Sequence, residues 1–238
     1  MSTIQLTPAR RSRLADVLYG ELLMRIVHGD VAEGDRLPSE AEIGKMFGAS
    51  RPVVRQALMQ LQQDGLVYSR KGAGTFVRMR PPARLGDFAE PAQIASYLRS
   101  FEVRAALEGE AARLAALRRT RRQLEAINEA ARALADAFDR RQTGHDEDYR
   151  FHAAVAEATD NELFPRLLDE LADIMRGSMA MGLALTRTGS EDRRKQVLKE
   201  HWQICDAIAA QDGEAATLNM RFHLLQTRLR TTDARSEL

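Results

Sequence analysis

Apolar side chains recur every three or four positions over most of the chain, which predicts a protein built mainly from α-helices. The first three predicted helices lie near the N-terminus, over residues 14–27, 40–47 and about 51–63. The second of them begins after Ser39 and has Glu42 three residues later, which is the pattern of a capping box. Ser50 occupies the matching position before the third helix and is expected to cap it.

A β-hairpin is predicted directly after the third helix. Segments 66–69 and 75–78 carry β-branched and aromatic residues, and the Gly-rich stretch 70–74 between them suits a hairpin turn. Two helices joined by a tight turn and followed by a hairpin form a winged helix-turn-helix, which we predict over residues 10–78. Domains of this type place their second helix in the major groove of double-stranded DNA.

The chain changes character beyond residue 78. Residues 79–91 include the helix-breaking sequence Arg80-Pro81-Pro82-Ala83-Arg84 and are predicted to form a stiff linker. Helical periodicity is then nearly continuous, so residues 92–232 are predicted to form an all-α helical bundle. The expected helices are 92–117, 120–141, 146–158, 162–181, 191–210 and 214–230. The predicted fold class is therefore mainly α, with β structure confined to the hairpin wing.

Composition and charge narrow the classes of function. The net charge is only +1, but residues 1–80 hold 12 Lys and Arg against 8 Asp and Glu, as expected for a DNA-binding head. An aromatic content of 5% argues against stacking platforms for single-stranded nucleic acid. No apolar run approaches the ~18 residues of a membrane span, and no signal peptide is recognisable, so a cytoplasmic location is predicted. Cys205, with apolar neighbours, is expected to be a buried structural thiol.

The candidate DNA contacts lie at the start of the third helix, before the second helix and at the wing tip. They are Arg36, Ser50, Arg51, Pro52, Arg55, Lys71 and Gly72. Arg51 and Arg55 lie one turn apart on the same face, and Arg is the commonest specific reader of guanine. Lys71 and Gly72 offer a cation and bare backbone to a phosphate or the minor groove, and Arg36 can contact a phosphate. The alternative for the two helix arginines is a solvated basic face.

Four residues of the helical bundle have the spacing of a metal site. Asp148 and His152 are four apart on one predicted helix and share a face. His201 and His223 lie eleven residues before and after Asp212, at the turn of a helical hairpin, so they can face each other. Three imidazoles and one carboxylate suit a divalent Zn²⁺, Ni²⁺, Mn²⁺ or Fe²⁺ ion, with Zn²⁺ favoured. The alternative is that each histidine is a hydrogen-bonded core residue.

Two further alternatives remain open for this site. His145 is a rival ligand, since it lies three residues before Asp148 at the start of the same helix. A metal with open positions could activate water in a hydrolase, but that chemistry needs a free general base. Glu200 adjoins His201 yet projects about 100° away from it on a helix. Together with the DNA-binding head, this favours a binding protein over an enzyme, and a purely structural metal is the other alternative.

The N-terminal pattern resembles the DNA-binding domain of the GntR regulators over residues 12–78. The matching stretches are Gly34-Asp35-Arg36-Leu37-Pro38-Ser39-Glu40, Phe47-Gly48-Ala49-Ser50-Arg51-Pro52-Val53-Val54-Arg55 and Gly72-Ala73-Gly74-Thr75-Phe76-Val77. The resemblance implies operator contacts from Ser50, Arg51, Arg55, Lys71 and Gly72. One position departs from the pattern: Ala41 stands where many members carry Arg, so the short helix lacks that base contact.

The C-terminal pattern resembles the FCD effector domain of the FadR subfamily over roughly residues 94–230. The matching stretches are Phe101-Glu102-Val103-Arg104, Asp148-Tyr149-Arg150-Phe151-His152 and Glu200-His201-Trp202-Gln203-Ile204, together with His223. In metal-binding members of this subfamily the positions that match Asp148, His152, His201 and His223 are ligands. A fatty acyl effector is not expected, because members that bind such groups lack this set.

The resemblance also implies a partner and an effector. It implies a homodimeric repressor that binds a short palindromic operator on double-stranded DNA and responds to a small carboxylic or hydroxy acid. Arg104 is a candidate clamp for the effector carboxylate, with a surface salt bridge to Glu108 as its alternative. Asn161 either contacts the effector or caps a helix. Effector binding is expected to tilt the bundle helices and change the spacing of the two heads.

Overall fold

The fold is described from a computed structural model, which covers residues 11–188 and 191–232. The chain divides into two compact units between Ala95 and Ser96. The first contains α1 (Arg11–His28), α2 (Glu40–Phe47), α3 (Arg51–Gln63), β1 (Val67–Arg70), β2 (Gly74–Val77) and a 3₁₀ helix (Ala83–Asp87). This order of elements is the predicted winged helix-turn-helix. The predicted domain bounds stay predictions, and residue 10 lies outside the described residues.

The helix-turn-helix is shaped by local signals that the sequence already contains. Ser39 Oγ accepts a hydrogen bond from the Glu42 amide at 3.3 Å, and the Glu42 carboxylate accepts one from the Ser39 amide at 2.7 Å. The predicted capping box is therefore confirmed. Helix α2 ends at Gly48, whose φ of 66° is the left-handed conformation that glycine adopts without strain. Ser50 precedes α3 as predicted, but its side chain makes no capping bond, so that part of the prediction is wrong.

Strands β1 and β2 pair antiparallel as a hairpin, with Val67 opposite Val77 and Tyr68 opposite Phe76. Val67 and Val77 are fully buried, because the pleat directs them into the core of the head. Arg36 forms a separate bridge to Phe76, which ties the segment before α2 to the hairpin. The wing is thus fixed to the helix-turn-helix along one edge.

The segment predicted as a linker is packed against the head. Arg80 Nε donates a hydrogen bond to the Val27 carbonyl at 3.0 Å, at the C-terminal end of α1. Pro81 and Pro82 are buried, and Leu85 in the 3₁₀ helix is fully buried. The two prolines precede the 3₁₀ helix and are buried, whereas a solvated linker would leave them exposed. The predicted stiff linker of residues 79–91 is therefore partly buried and bonded to the head, and its bounds stay a prediction.

The second unit is an all-α bundle, as predicted. Its helices are α4 (Pro91–Arg118), α5 (Arg121–Asp139), α6 (His145–Glu157), α7 (Leu163–Glu170), α8 (Ala172–Thr188), α9 (Glu191–Ala209) and α10 (Gly213–Thr232). The centre of the core is apolar and is formed by residues from α4, α5, α6, α9 and α10: Phe101, Ala112, Ile127, Phe151, Ile204 and Met220. No helix in the described ranges is long and apolar enough to cross a membrane.

One helix of the bundle differs from its sequence prediction. The single helix expected over 162–181 is two helices, which meet at Leu171. Neither Gly nor Pro marks this break; Leu168 and Met175, on its two sides, pack into the same cluster with Tyr149.

Cys205 is buried as predicted, and burial raises the pKa of its thiol to about 12, so it is an inert core residue.

The two serines that precede α2 and α3 provide a matched test of capping. In Ser39→Ala, residues 40–47 should exchange their amide hydrogens about fivefold faster, because a capping side chain contributes ~1 kcal/mol. In Ser50→Ala, residues 51–63 should change by less than about twofold, since this side chain makes no cap bond. Hydrogen-exchange mass spectrometry measures both, and equal effects would contradict the assignment.

Candidate metal centre and DNA-binding surface

The last two helices bring two histidines face to face. The turn between α9 and α10 is closed by Asp212, whose carboxylate accepts a hydrogen bond from the Ala215 amide at 2.9 Å, and Gln211 has a φ of 57°. The ring centres of His201 and His223 are 4.5 Å apart across the hairpin. The prediction that these two histidines face each other, made from their equal sequence distance to the turn, is therefore confirmed.

Helix α6 completes the group. Asp148 Oδ1 lies 2.9 Å from His201 Nε2 and 3.9 Å from His152 Nε2. Asp148, His152, His201 and His223 are all buried, and one ligand atom from each lies within 4.8 Å of the others. Two donors on opposite sides of one ion are about 4.2 Å apart, so this spread is close to that of a metal site. The structure thus gathers the four predicted ligands at one point.

Acceptors on α9 orient two of the rings. His201 Nδ1 donates to the Val197 carbonyl at 2.9 Å, and His223 Nδ1 donates to the Glu200 carboxylate at 3.0 Å. Arg230 in turn holds Glu200 with two hydrogen bonds, of 2.7 and 2.8 Å. Carbonyl and carboxylate oxygens only accept, so Nδ1 of each ring carries the proton and Nε2 of the neutral ring keeps its lone pair.

Helix α4 orients the third ring. Glu108 Oε2 lies against His152 Nδ1, and Glu108 Oε1 accepts a 2.6 Å hydrogen bond from Arg104 Nε. The side chains of Arg104 and Glu108 are both only 2% exposed. Arg104 therefore forms the alternative that the sequence offered, a pair with Glu108. This pair is buried beside His152, whereas the sequence suggested the surface.

The electrostatics leave Asp148 and His223 in the forms that a metal ion requires. Burial opposes ionisation of Glu108, but Arg104 and His152 outweigh it and lower the pKa to about 2. Burial likewise opposes ionisation of Asp148, but its hydrogen bond to His201 and the nearby imidazoles hold its pKa well below the usual range. Burial and the neighbouring His201 lower the pKa of His223 to about 4, so this ring is neutral at pH 7. Metal ligands are likewise an ionised carboxylate and neutral imidazoles.

The inner nitrogen and oxygen atoms of the four residues also carry lone pairs that a cation can bind. When the proton of a neutral His201 ring lies on Nδ1, Nε2 and Asp148 Oδ1 are both acceptors 2.9 Å apart, so a proton or a metal ion can bind between them. His152 Nε2 is buried and has no hydrogen-bond partner among the described residues. A cation between these atoms satisfies all of them, and the set of three nitrogens and one oxygen suits a borderline divalent metal.

The other candidates of the bundle lie elsewhere. His145 is partly exposed and its Nδ1 lies 3.0 Å from Thr143 Oγ1, so it does not join the four ligands. Asn161 is exposed, and its side-chain oxygen accepts a hydrogen bond from the Leu163 amide at 3.1 Å. Asn161 therefore makes the capping contact at the start of α7 that the sequence offered as its alternative role, and its contact with an effector stays a prediction.

Sequence reasoning missed the residues that orient the rings. Glu108 was considered only as a partner for Arg104, and Glu200 only as a general base. The structure places Glu200 within the network of His223 and Arg230, fully engaged as an acceptor. The only signal in the sequence is that Glu200 and Arg230, like His201 and His223, lie on opposite arms of the predicted helical hairpin.

In the head, all predicted DNA contacts are at the surface. The exposed residues are Arg36, Ser50, Arg51, Pro52, Arg55, Lys71 and Gly72. Arg55 Nε donates to Glu40 at 2.9 Å, but the Arg55 side chain is 68% exposed, and surface pairs of this kind contribute ~0–1 kcal/mol. Gly72 at the wing tip has a φ of 76°, which is strained for any residue with a side chain. These residues therefore remain available to a DNA duplex.

Comparison with known proteins identifies both units. Residues 14–77 match the bacterial regulatory proteins of the gntR family, and residues 99–226 match the FCD domain. The chain belongs to the GntR family of transcriptional regulators. The regulator LutR of Bacillus subtilis (strain 168) is 30% identical to this GntR-family chain over 205 residues, which cover 84% of it and 92% of LutR.

Two relatives from Escherichia coli (strain K12) are similarly close to this GntR-family chain. The Uxu operon transcriptional regulator is 34% identical over 197 residues, covering 80% of this chain and 76% of the relative. The galactonate operon transcriptional repressor is 30% identical over 202 residues, covering 81% and 85%. The chain is therefore a DNA-binding, ligand-responsive transcriptional regulator, and the hydrolase alternative is excluded because the family consists of regulators.

The buried pair beside His152 makes a testable contribution to stability. In metal-free buffer, Arg104→Met should lower the free energy of unfolding by about 3–5 kcal/mol, because it leaves Glu108 buried without its cation. Arg113→Met, on the same helix, removes the cation of an exposed pair with Glu110 and should cost no more than ~1 kcal/mol. Urea unfolding followed by Trp202 fluorescence measures both, and equal losses would show that the buried pair has no special role.

Proposed function

We propose that this GntR-family regulator senses a small carboxylic or hydroxy acid through a divalent metal ion held by Asp148, His152, His201 and His223. The observation that carries the proposal is the common orientation of the three rings. Each Nδ1 proton faces an acceptor outside the group, and the remaining nitrogens converge with Asp148. Metal-ligating histidines are oriented in this way by carboxylates and backbone carbonyls.

The chain's own residues divide into two sets in this proposal. The four ligands hold the ion, for which Zn²⁺ is favoured over Ni²⁺, Mn²⁺ and Fe²⁺. Glu108, Glu200 and the Val197 carbonyl fix the tautomers and angles of the three rings. The bound ion supplies Lewis acidity, which attracts the carboxylate and hydroxyl oxygens of a small acid.

Arg104 is proposed as the second group that recognises the effector. It is 1% exposed and lies one side chain away from His152, through Glu108. Its guanidinium also lies 5.4 Å from the centre of the Phe101 ring, which fixes its plane. A planar guanidinium binds a carboxylate through two parallel hydrogen bonds, so Arg104 suits the acid group of an effector.

A relative supports the class of effector and the direction of regulation. The galactonate operon transcriptional repressor takes its name from a sugar acid, which carries both a carboxylate and hydroxyl groups. We propose by this similarity that the chain is a repressor that responds to an acid of this class. As a bacterial DNA-binding regulator it would act in the cytoplasm, where the chromosome lies.

A structural metal is the second candidate, and one observation favours it. His201 is fully buried and Asp148 is only 5% exposed, as in metal sites that are closed to ligands. A structural ion would stabilise the bundle, but the affinity of the protein for DNA would not respond to any acid. Sensing requires the effector to bind the two states of the protein with different affinities.

A homodimer is also part of the proposal, with the outer face of α10 as its interface. Four large apolar side chains on this face are between 43% and 69% exposed: Leu218, Phe222, Leu225 and Leu229. Their spacing of four, three and four residues is the a/d pattern of helix pairing. The inner face of α10 is already buried through Met220 and Leu224, so the helix is apolar on both sides. A second copy related by twofold symmetry would cover the same stripe on each chain.

The metal proposal is tested with two histidines: His201 on α9 is a proposed ligand, and His145 on α6 lies outside the four ligands. The wild-type protein should bind one divalent ion per chain. With this ion bound, at least one acid from a panel of hydroxy, sugar and dicarboxylic acids should raise its Tm by several degrees. His201→Ala should lose both the ion and the response, while His145→Ala should keep both. Metal analysis and thermal melting give the two readouts.

The outcomes of this experiment separate the candidates. Bound metal without a thermal response to any acid would favour the structural ion. Absence of a stoichiometric metal from the wild-type protein would overturn the metal proposal altogether.

The dimer proposal predicts that one substitution on α10 produces monomers. Leu225→Glu places a charge in the centre of the stripe, and burying an unpaired charge costs several kcal/mol. Leu167→Glu on α7 is the control, because that leucine is 52% exposed and lies outside the stripe. Light scattering after size exclusion should show a dimer for the wild type and for the control. A dimeric Leu225→Glu variant would place the interface elsewhere.

A further inference from the structure

The outer face of the wing carries an aromatic pair and two arginines. Strand pleating directs Val67 and Val77 into the head, so Tyr68 and Phe76 point to the opposite face. Their rings are stacked, with centres 5.6 Å apart and planes at 24°. Arg70 and Arg78 share this face, since each lies two residues from one of the rings. We call these four residues the wing platform.

The aromatic pair fixes the guanidinium groups. The Arg70 guanidinium lies 5.2 Å from the centre of the Tyr68 ring and 5.3 Å from that of Phe76. The Arg78 guanidinium lies 5.7 Å from the Tyr68 ring. A guanidinium that lies over a ring has its plane held while its N–H groups remain directed outward. The wing platform therefore presents two oriented guanidinium groups, those of Arg70 and Arg78, as hydrogen-bond donors at the surface.

Acidic side chains do not neutralise these cations. Both arginines are exposed, and no ion pair with a carboxylate is formed by either within the described ranges. Residues 66–86 contain five basic residues and no Asp or Glu. Arg80 is one of the five and is already bonded to the Val27 carbonyl. The platform is thus a local excess of positive charge, which attracts an anionic partner.

We propose that Arg70 and Arg78 bind phosphates of the DNA backbone, next to the contact expected from Lys71 and Gly72 at the wing tip. Arg70 is the neighbour of Lys71 in the chain, so a duplex that reaches the tip brings its backbone close to the platform. Phosphate is favoured over bases, because the Arg70 guanidinium already lies over Tyr68 and Phe76, the two rings of the platform that could stack on a base. Tyr68 and Phe76 act as positioning residues for the arginines.

Phosphate binding has a measurable signature, because each neutralised phosphate releases counterions from DNA. In Arg70→Gln and Arg78→Gln the slope of log K against log salt concentration should fall by about 1 for each phosphate that is left without its arginine in each bound head. The affinity should fall by the same factor for every sequence, since phosphates carry no sequence information. Arg51→Gln, by contrast, should weaken binding to the preferred sequence more than to random DNA.

The experiment uses the full-length protein and two duplexes of about 30 base pairs, which exceed the span of two half-sites one helical turn apart. One is selected from a random library by the wild-type protein and the other is random, and fluorescence anisotropy is followed over a salt series. Arg122→Gln on α5 is the control for loss of one exposed charge, and it should leave the slope unchanged. Arg70→Lys keeps the charge and should retain most of the slope. Thermal melting verifies that each variant is folded.

A wild-type slope in both Arg70→Gln and Arg78→Gln would overturn the proposal. If these variants also showed altered self-association, the wing platform would be a protein interface.

Discussion

The helical bundle depends on one constraint: a buried imidazole or carboxylate must have a partner for each proton and each charge. Three histidines and three carboxylates meet this constraint together in the interior of the bundle. Glu108 on α4 faces His152 on α6, and Glu200 on α9 faces His223 on α10. Asp148 then lies between the rings, at 2.9 Å from His201. Because four helices supply the partners, a shift of any one helix exposes a charge or breaks a hydrogen bond in another.

The same constraint prepares the group for a ligand. The outer acceptors take the Nδ1 protons, so the inner electron pairs converge where no described protein donor satisfies His152 Nε2. An apolar core of this size could be packed without such groups, and replacing buried ion pairs by apolar residues is often neutral for stability. The arrangement is therefore better explained by binding than by stability. The ion pair of Arg104 and Glu108 adds a cation beside His152, where we propose that the effector acid binds.

The head follows the opposite rule, because its functional residues are exposed and only their supports are buried. The capping box of Ser39 sets the start of α2, and Gly48 ends it, so α3 begins where its arginines face solvent. Strand pairing of Val67 with Val77 anchors the wing and leaves Arg70 on its outer face. We propose that these exposed residues bind the charged backbone and grooves of DNA, so they would contribute to the affinity for DNA and little to the stability of the free protein.

Local patterns in the chain were enough to predict most of the elements and the four residues of the candidate metal centre. Helical periodicity, the capping box and the hairpin turn involve neighbours in sequence, and the four candidate ligands follow from one helical turn and from equal distances to one turn. Which faces meet was settled by packing between helices. Packing broke the helix at Leu171, placed residues 79–91 on the head, and gave His152 and His223 their acceptors, Glu108 and Glu200. A periodic pattern reports which side of one helix is buried, whereas these contacts join residues on different helices and depend on how the helices pack.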